Sequence, residues 1–126
     1  MTSSVHRPKI IVDLVVLDTP DPLELANFYT ELLGWEVVRT DHDWVTIRGE
    51  GGTGLAFQLA PDLIPPTWPK GDVPQQFHLD LTVDDLDEGE AFVLSIGARK
   101  APAEEASEGF RVYLDPTGHP FCLCLP

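Results

Sequence analysis

Thr53-Gly54-Leu55-Ala56-Phe57-Gln58-Leu59 returns 64 residues later as Thr117-Gly118-His119-Pro120-Phe121-Cys122-Leu123. Each copy opens on Thr-Gly, a turn signal, and runs into a strand that keeps Phe and Leu at the same spacing. The same offset relates Leu17, Asp21, Glu24 and Phe28 to Leu81, Asp85, Glu88 and Phe92. These matches are few, but they fall at a strand, a helix opening, the large apolar residue of that helix and a closing strand. A chain with this pattern is one module written twice.

In the first copy, Ile10 to Asp18 is a β-branched and aliphatic run suited to a largely buried strand. A well-marked helix follows, with Asp21 as N-cap, Pro22 at the first helical position, Glu24 placed for a reciprocal cap and Gly34 after the last turn. Its apolar side is Leu25, Phe28, Tyr29, Leu32 and Leu33. Strands are predicted at Trp35 to Thr40, Trp44 to Arg48 and Leu55 to Ala60, broken by Asp41-His42-Asp43 and by the glycines between Gly49 and Gly54. Prolines at 61, 65, 66, 69 and 74 bar regular structure from the connection. The order then restarts with a strand at Phe77 to Val83, a helix over 85–96 stopped by Gly97, and strands at Arg99 to Ala101, Phe110 to Leu114 and Pro120 to Leu125. The expected fold class is α+β, with two tandem β-α-β-β-β modules. The first module spans about 9–61, the connection about 61–75 and the second module about 76–126, within one domain of residues 1–126.

With 126 residues, 43% of them hydrophobic, there is material for one core, so the two halves must share it. A net charge of −13, from 21 acidic and 8 basic residues, argues against nucleic acid or an anionic membrane as partner, because both would be repelled. No apolar run approaches the roughly 20 residues of a membrane span, and Met1-Thr2-Ser3-Ser4 lacks the apolar region of a signal peptide. A cytoplasmic protein with a small-molecule partner is expected. Cys122 and Cys124 are too few for a disulfide framework and should be reduced.

Strand alternation assigns side chains to faces. Phe77, Leu79, Leu81 and Val83 belong to the core, which leaves His78, Asp80 and Thr82 on the other face. The same parity puts Val45 and Ile47 inside, opposite Trp44, Thr46 and Arg48. In the closing strands Phe57 and Leu59 point inward and leave Gln58, while Phe121 and Leu123 leave Cys122 and Cys124. Apolar walls with a few polar groups are what a small-molecule pocket requires.

Three phrases carry a family resemblance: Asp21-Pro22 with Phe28-Tyr29 and Leu33-Gly34-Trp35; His78-Leu79-Asp80-Leu81-Thr82-Val83; and Tyr113-Leu114-Asp115-Pro116-Thr117-Gly118-His119-Pro120-Phe121. Over nearly its whole length the chain resembles the vicinal oxygen chelate superfamily of glyoxalase I, bleomycin-resistance proteins and extradiol dioxygenases, and within it the glyoxalase-like domain group. The resemblance implies eight strands in curled mixed sheets around a cavity that usually holds a divalent metal. It also implies that metal ligands come from the first and last strand of each module, here Leu14, Gln58, His78 and Cys122. Leu14 cannot ligate, Gln58 is a weak neutral ligand and Cys122 suits a soft metal, so no metal or other cofactor is expected. Asp13 could reach that face only through a bulge.

His78 and Asp80, two residues apart on one face, are the candidate catalytic acid–base pair, or else a polar pair that orders the cavity. Trp44, Arg48, Gln58, Trp68, Tyr113 and Cys122 are the candidate ligand-binding residues. Each has a plainer alternative: Arg48 a salt-bridged surface arginine, Trp68 a plug at the join of the modules, Cys122 a small residue filling a strand, and His119 part of a turn. Two functions follow. One is metal-independent binding of a small planar or aromatic ligand, as in antibiotic-resistance binders. The other is a glyoxalase-like lyase or isomerase working through His78 and Asp80, or else a divalent-metal enzyme of the superfamily. The modules could pair within one chain or between two, as a homodimer.

Overall fold

The computed structural model describes residues 7–9, 11–67, 71–102 and 109–126. Trp68 lies outside the described residues. The first half runs β1 (Val15–Thr19), α1 (Pro22–Leu33), β2 (Glu36–Asp41), β3 (Trp44–Arg48), a short 3₁₀ turn (Glu50–Gly52) and β4 (Gly54–Leu59). The second runs β5 (Leu79–Thr82), α2 (Leu86–Ser95), β6 (Arg99–Lys100), β7 (Phe110–Leu114) and β8 (Pro120–Cys124). Each half forms a four-stranded mixed sheet, ordered β1-β4-β3-β2 and β5-β8-β7-β6, with its first and last strands parallel neighbours. The α+β class and the doubled β-α-β-β-β order are therefore as expected.

Local chemistry accounts for both helices. Asp21 Oδ1 accepts the Glu24 amide at 3.1 Å and Asp85 Oδ1 accepts the Glu88 amide at 3.0 Å, each satisfying one of the amides a helix start leaves open. Gly34 ends α1 in the left-handed region, at φ 70°, where its amide reaches Thr30 O.

The halves are not equal copies. α1 buries Pro22, Leu25, Ala26, Phe28 and Tyr29, whereas α2 buries only Val93, and Phe92, the echo of Phe28, is 46% exposed against 3%. Phe28 owes its burial to both halves: its ring lies edge-on to Tyr29 at 4.9 Å and 6.0 Å from Phe121 of the second half. The pairing of first and last strands also differs. Leu17 lies opposite Phe57, but Leu81 lies opposite Leu123 rather than Phe121, a two-residue displacement. Because side chains alternate with period two, this shift keeps the residues of β5 and β8 on their expected faces.

Residues 11–18 do not form one largely buried strand, and Ile10 lies outside the described residues. Pairing begins only at Val15, because the turn before β4 leaves no strand beside the preceding residues, and Ile11 and Val12 are exposed. β1 is also an edge strand, buried only at Leu17 and Thr19. Phe77, His78 and Val83 likewise fall outside the shorter β5.

Contacts between the halves centre on the turn from β7 to β8. Asp115 is fully buried, and its Oδ1 accepts the amides of Thr117, Gly118 and His119 at 2.9–3.0 Å. Its Oδ2 accepts the Tyr29 hydroxyl of α1 at 2.7 Å. Thr19 and Thr117 share a 2.7 Å hydroxyl hydrogen bond, and His119 Nε2 lies 2.6 Å from Asp18 O. His119 thus has the structural turn role its position suggested. Among the described residues, no helix is long and apolar enough to cross a membrane.

Candidate functional site

Each sheet has a face covered by its helix and an opposite face. On the second sheet the opposite face carries His78, Asp80 and Cys122, brought together by the parallel pairing of β5 with β8, which sets Asp80 across from Cys122. His78 Nε2 stands 3.1 Å from Asp80 Oδ1. One donor atom from each of the three residues lies within 4.8 Å of the other two. His78 and Asp80 are open to solvent while Cys122 is buried.

Burial pushes the Cys122 thiol up to about 11, and the charge of Asp80 adds to the effect. The thiol is therefore protonated at neutral pH, which suits a packed or hydrogen-bonding cysteine better than a nucleophile. Cys124, two residues on, is raised in the same direction by burial and Asp80.

On the first sheet, Trp44 lies across from Gln58 and Thr46 across from Ala56. The Trp44 indole N–H donates to Thr46 Oγ1 at 2.8 Å, which fixes the ring while leaving it partly exposed, and the Arg39 guanidinium sits 6.0 Å from the ring centre. Arg48 takes its plainer role: its Nη2 donates to Asp13 Oδ1 at 2.6 Å and its Nη1 to Gly52 O at 2.8 Å. Asp13 is thereby engaged by an arginine.

The first-half positions that the resemblance assigns to a metal do not fit one. A Cβ on Gly54 would stand 2.7 Å from a Leu14 methyl and 3.0 Å from Arg48 Nη1, so an aliphatic side chain and a guanidinium occupy that end of the sheet. With only Gln58 besides, at the other end of β4, this half offers one weak neutral oxygen, short of what a hard cation requires.

Tyr113 does not share the face of His78. It is fully buried on the helix side of β7, opposite Phe121 in register, with the two rings stacked at 5.7 Å. Its hydroxyl donates to Glu90 of α2 at 2.8 Å, and burial followed by that carboxylate pushes it up to about 12. Tyr113 therefore supports the core and is removed from the ligand-facing set; Val112, opposite Cys122, takes the place beside the triad.

Thr46 and Arg39, the partners of Trp44, were not among the sequence candidates. Strand parity placed Thr46 on the right face, and a hydroxyl two residues from a tryptophan was the available signal. Arg39 is reached across the β2–β3 pairing, where a bulge between Val37 and Arg39 shifts the register, and no local pattern announces that.

Fold and site together define a protein of paired β-α-β-β-β modules carrying polar and aromatic side chains on the faces away from its helices. The sequence profile of the family described as Glyoxalase-like domain matches residues 14–124, and the chain belongs to that family. No curated protein sequence matches it. Among solved structures it is similar to a glyoxalase/bleomycin resistance protein/dioxygenase family enzyme from Burkholderia phytofirmans, with 18% identity over 90% of this chain and 96% of that one and a TM-score of 0.66. It is similar to TnmS3, an antibiotic binding protein from a Streptomyces species, with 21% identity, coverage of 96% and 99%, and a TM-score of 0.63. A third similarity is to the bleomycin-binding protein from Streptomyces verticillus complexed with copper(II)-bleomycin, with 19% identity, coverage of 95% and 99%, and a TM-score of 0.61. At these identities the likeness to the solved structures is one of fold alone.

Proposed function

We propose that this protein binds a small planar or aromatic ligand against the sheet faces that carry Trp44 and Gln58 in one half and His78 and Asp80 in the other. The observation that carries this proposal is Trp44, whose indole is fixed by Thr46 yet partly open, a preorganised stacking surface beside the Gln58 amide. Binding does not depend on the hard divalent cation of the oxygen-chelating enzymes, since the first half offers Leu14, which cannot ligate, and the weak neutral Gln58 at two of its four ligand positions. The antibiotic-binding descriptions of TnmS3 and the Streptomyces verticillus protein support the same class of ligand. The protein acts in the cytoplasm, in keeping with its two free cysteines.

Calorimetric titration of chelator-treated protein with a panel of planar aromatics tests the proposal. Saturable binding should survive chelation, and Trp44→Ala should weaken it by roughly three- to tenfold, the range for one lost aromatic contact. Binding that vanishes with chelator, or that ignores the loss of Trp44, would refute it.

A second function rests on the 3.1 Å contact between His78 and Asp80, which fits a glyoxalase-like lyase or isomerase moving a proton on a carbonyl or enolisable substrate. For that function, His78→Ala should abolish turnover while ligand binding persists. Loss of both together would assign His78 to binding.

A further inference from the structure

Arg48 stands four residues along β3 from Trp44, on the same strand face, across from Gly54 in register. Its guanidinium stays on that face, because a Cβ built on Gly54 would stand 3.0 Å from Arg48 Nη1. We propose that Arg48 recognises an acid group on the ligand, and that Asp13 holds the guanidinium as a built-in carboxylate which the ligand's own acid displaces. The ligand class narrows from planar aromatics to planar aromatic acids. This rests on aromatic binding at Trp44 and adds a charged contact at the far end of the same face.

Spacing along β3 sets the size of such a ligand. The Trp44 indole N–H reaches Thr46, so the ring leans along the strand toward Arg48. Two residues of strand, about 7 Å, then separate the leaning ring from the arginine position, a span that suits a bicyclic ring with one carboxylate. The arginine is already positioned. Its Nη1 donates to Gly52 O at 2.8 Å, while its Nη2 donates to Asp13 Oδ1 at 2.6 Å. A guanidinium anchored through one nitrogen and offered through another matches a carboxylate, whose charge-assisted hydrogen bond is roughly twice as strong as a neutral one.

Asp13 is suited to give way. It belongs to the segment before β1, which has no strand beside it, and its side chain is 69% exposed against 32% for Arg48. An ion pair so open to water adds little to stability, so exchanging one carboxylate for another leaves the fold intact. With 21 acidic residues against 8 basic, the chain repels anions in general. An acidic ligand therefore needs a placed cation, and Arg48 supplies one beside the aromatic surface.

Calorimetric titration with 2-naphthoate and its neutral amide, 2-naphthamide, tests the proposal. The Asp13→Asn protein should bind naphthoate about two- to fivefold more tightly than the wild type, the range for one exposed ion pair, and naphthamide equally well. Arg48→Gln should bring naphthoate down to the affinity of naphthamide, and adding Asp13→Asn to it should then gain nothing. If Arg48→Gln does not fold, the two probes compared in Asp13→Asn decide the matter. The proposal is overturned if Asp13→Asn leaves naphthoate binding unchanged, or if its gain persists beside Arg48→Gln, which would mean general relief of negative charge. Naphthamide binding that weakens in Trp44→Ala, with no preference for naphthoate in Asp13→Asn, keeps the aromatic surface and overturns the acid contact alone. Binding of neither probe to any of these proteins also overturns the acid contact, and the wider panel of aromatics then decides the aromatic surface.

Discussion

Tyr29 shows how one buried hydroxyl can serve two halves of a chain. It leaves α1 within the first half, stacks on Phe57 at 5.6 Å, and donates to Asp115 of the second half. Burial, reinforced by the charge of Asp115, holds the phenol well above its ordinary range, so it remains a donor at every physiological pH. Burial also raises Asp115, and the hydrogen bond from Tyr29 works against that rise. Tyr29→Phe keeps the ring but leaves a buried carboxylate oxygen without its donor, which should cost about 1–3 kcal/mol in denaturant unfolding. A change within a few tenths of a kcal/mol would mean that water replaces the hydroxyl. The contrast with Arg48 is instructive. Sequence could place Arg48 on the correct face of β3, but could not say that Asp13 and Gly52 would engage it, because that depends on where the chain before β1 and the turn before β4 come to lie.

At the scale of elements, the helix caps were the most legible features, because capping joins residues only three apart. Asp21→Ala should cost about 1 kcal/mol by thermal or chemical denaturation, as the Glu24 amide loses its partner. Faces were legible wherever alternation was clean, as in β3 with Val45 and Ile47 inside. β7 was not. Phe110, Val112 and Leu114 alternate as a buried set would, yet Tyr113 takes the helix side, because Glu90 on α2 supplies the partner its hydroxyl needs. Glu90 is in turn held below the ordinary carboxylate value of 4.5, first by the Tyr113 hydroxyl and then by Lys100 and Arg111, against the opposing effect of burial. A carboxylate lowered on folding stabilises the native state above its unfolded value, and that contribution disappears as pH falls through the folded one. Glu90→Gln should therefore flatten the acid side of the stability profile below about pH 5 and change its shape little above pH 6. Unfolding midpoints across that range test this, and parallel wild-type and variant profiles would refute it.

Across the whole molecule, the join between the halves depends on the turn that the repeat made conspicuous at the outset. Gly118 has φ 109°, and a Cβ there would stand 2.8 Å from Pro65 in the connection between modules. Gly118→Ala meets both backbone strain and a clash, and should cost about 1–3 kcal/mol, seen as a lower melting temperature with the Asp115 turn loosened. A melting temperature equal to that of the wild type would show that the turn can relax without that contact.

The sequence by itself determined the doubled β-α-β-β-β order, the helix boundaries and the face of most strand residues, because repeats, caps and alternation are encoded over short distances in the chain. Tertiary structure alone decided the rest: that β1 begins late and runs along an edge, that the second half pairs its strands two residues out of step with the first, that Tyr113 turns to the core, and that His78, Asp80 and Cys122 meet. Those outcomes depend on which strand lies beside which and in what register. They arise from contacts between residues tens of positions apart, which no local pattern in the chain records.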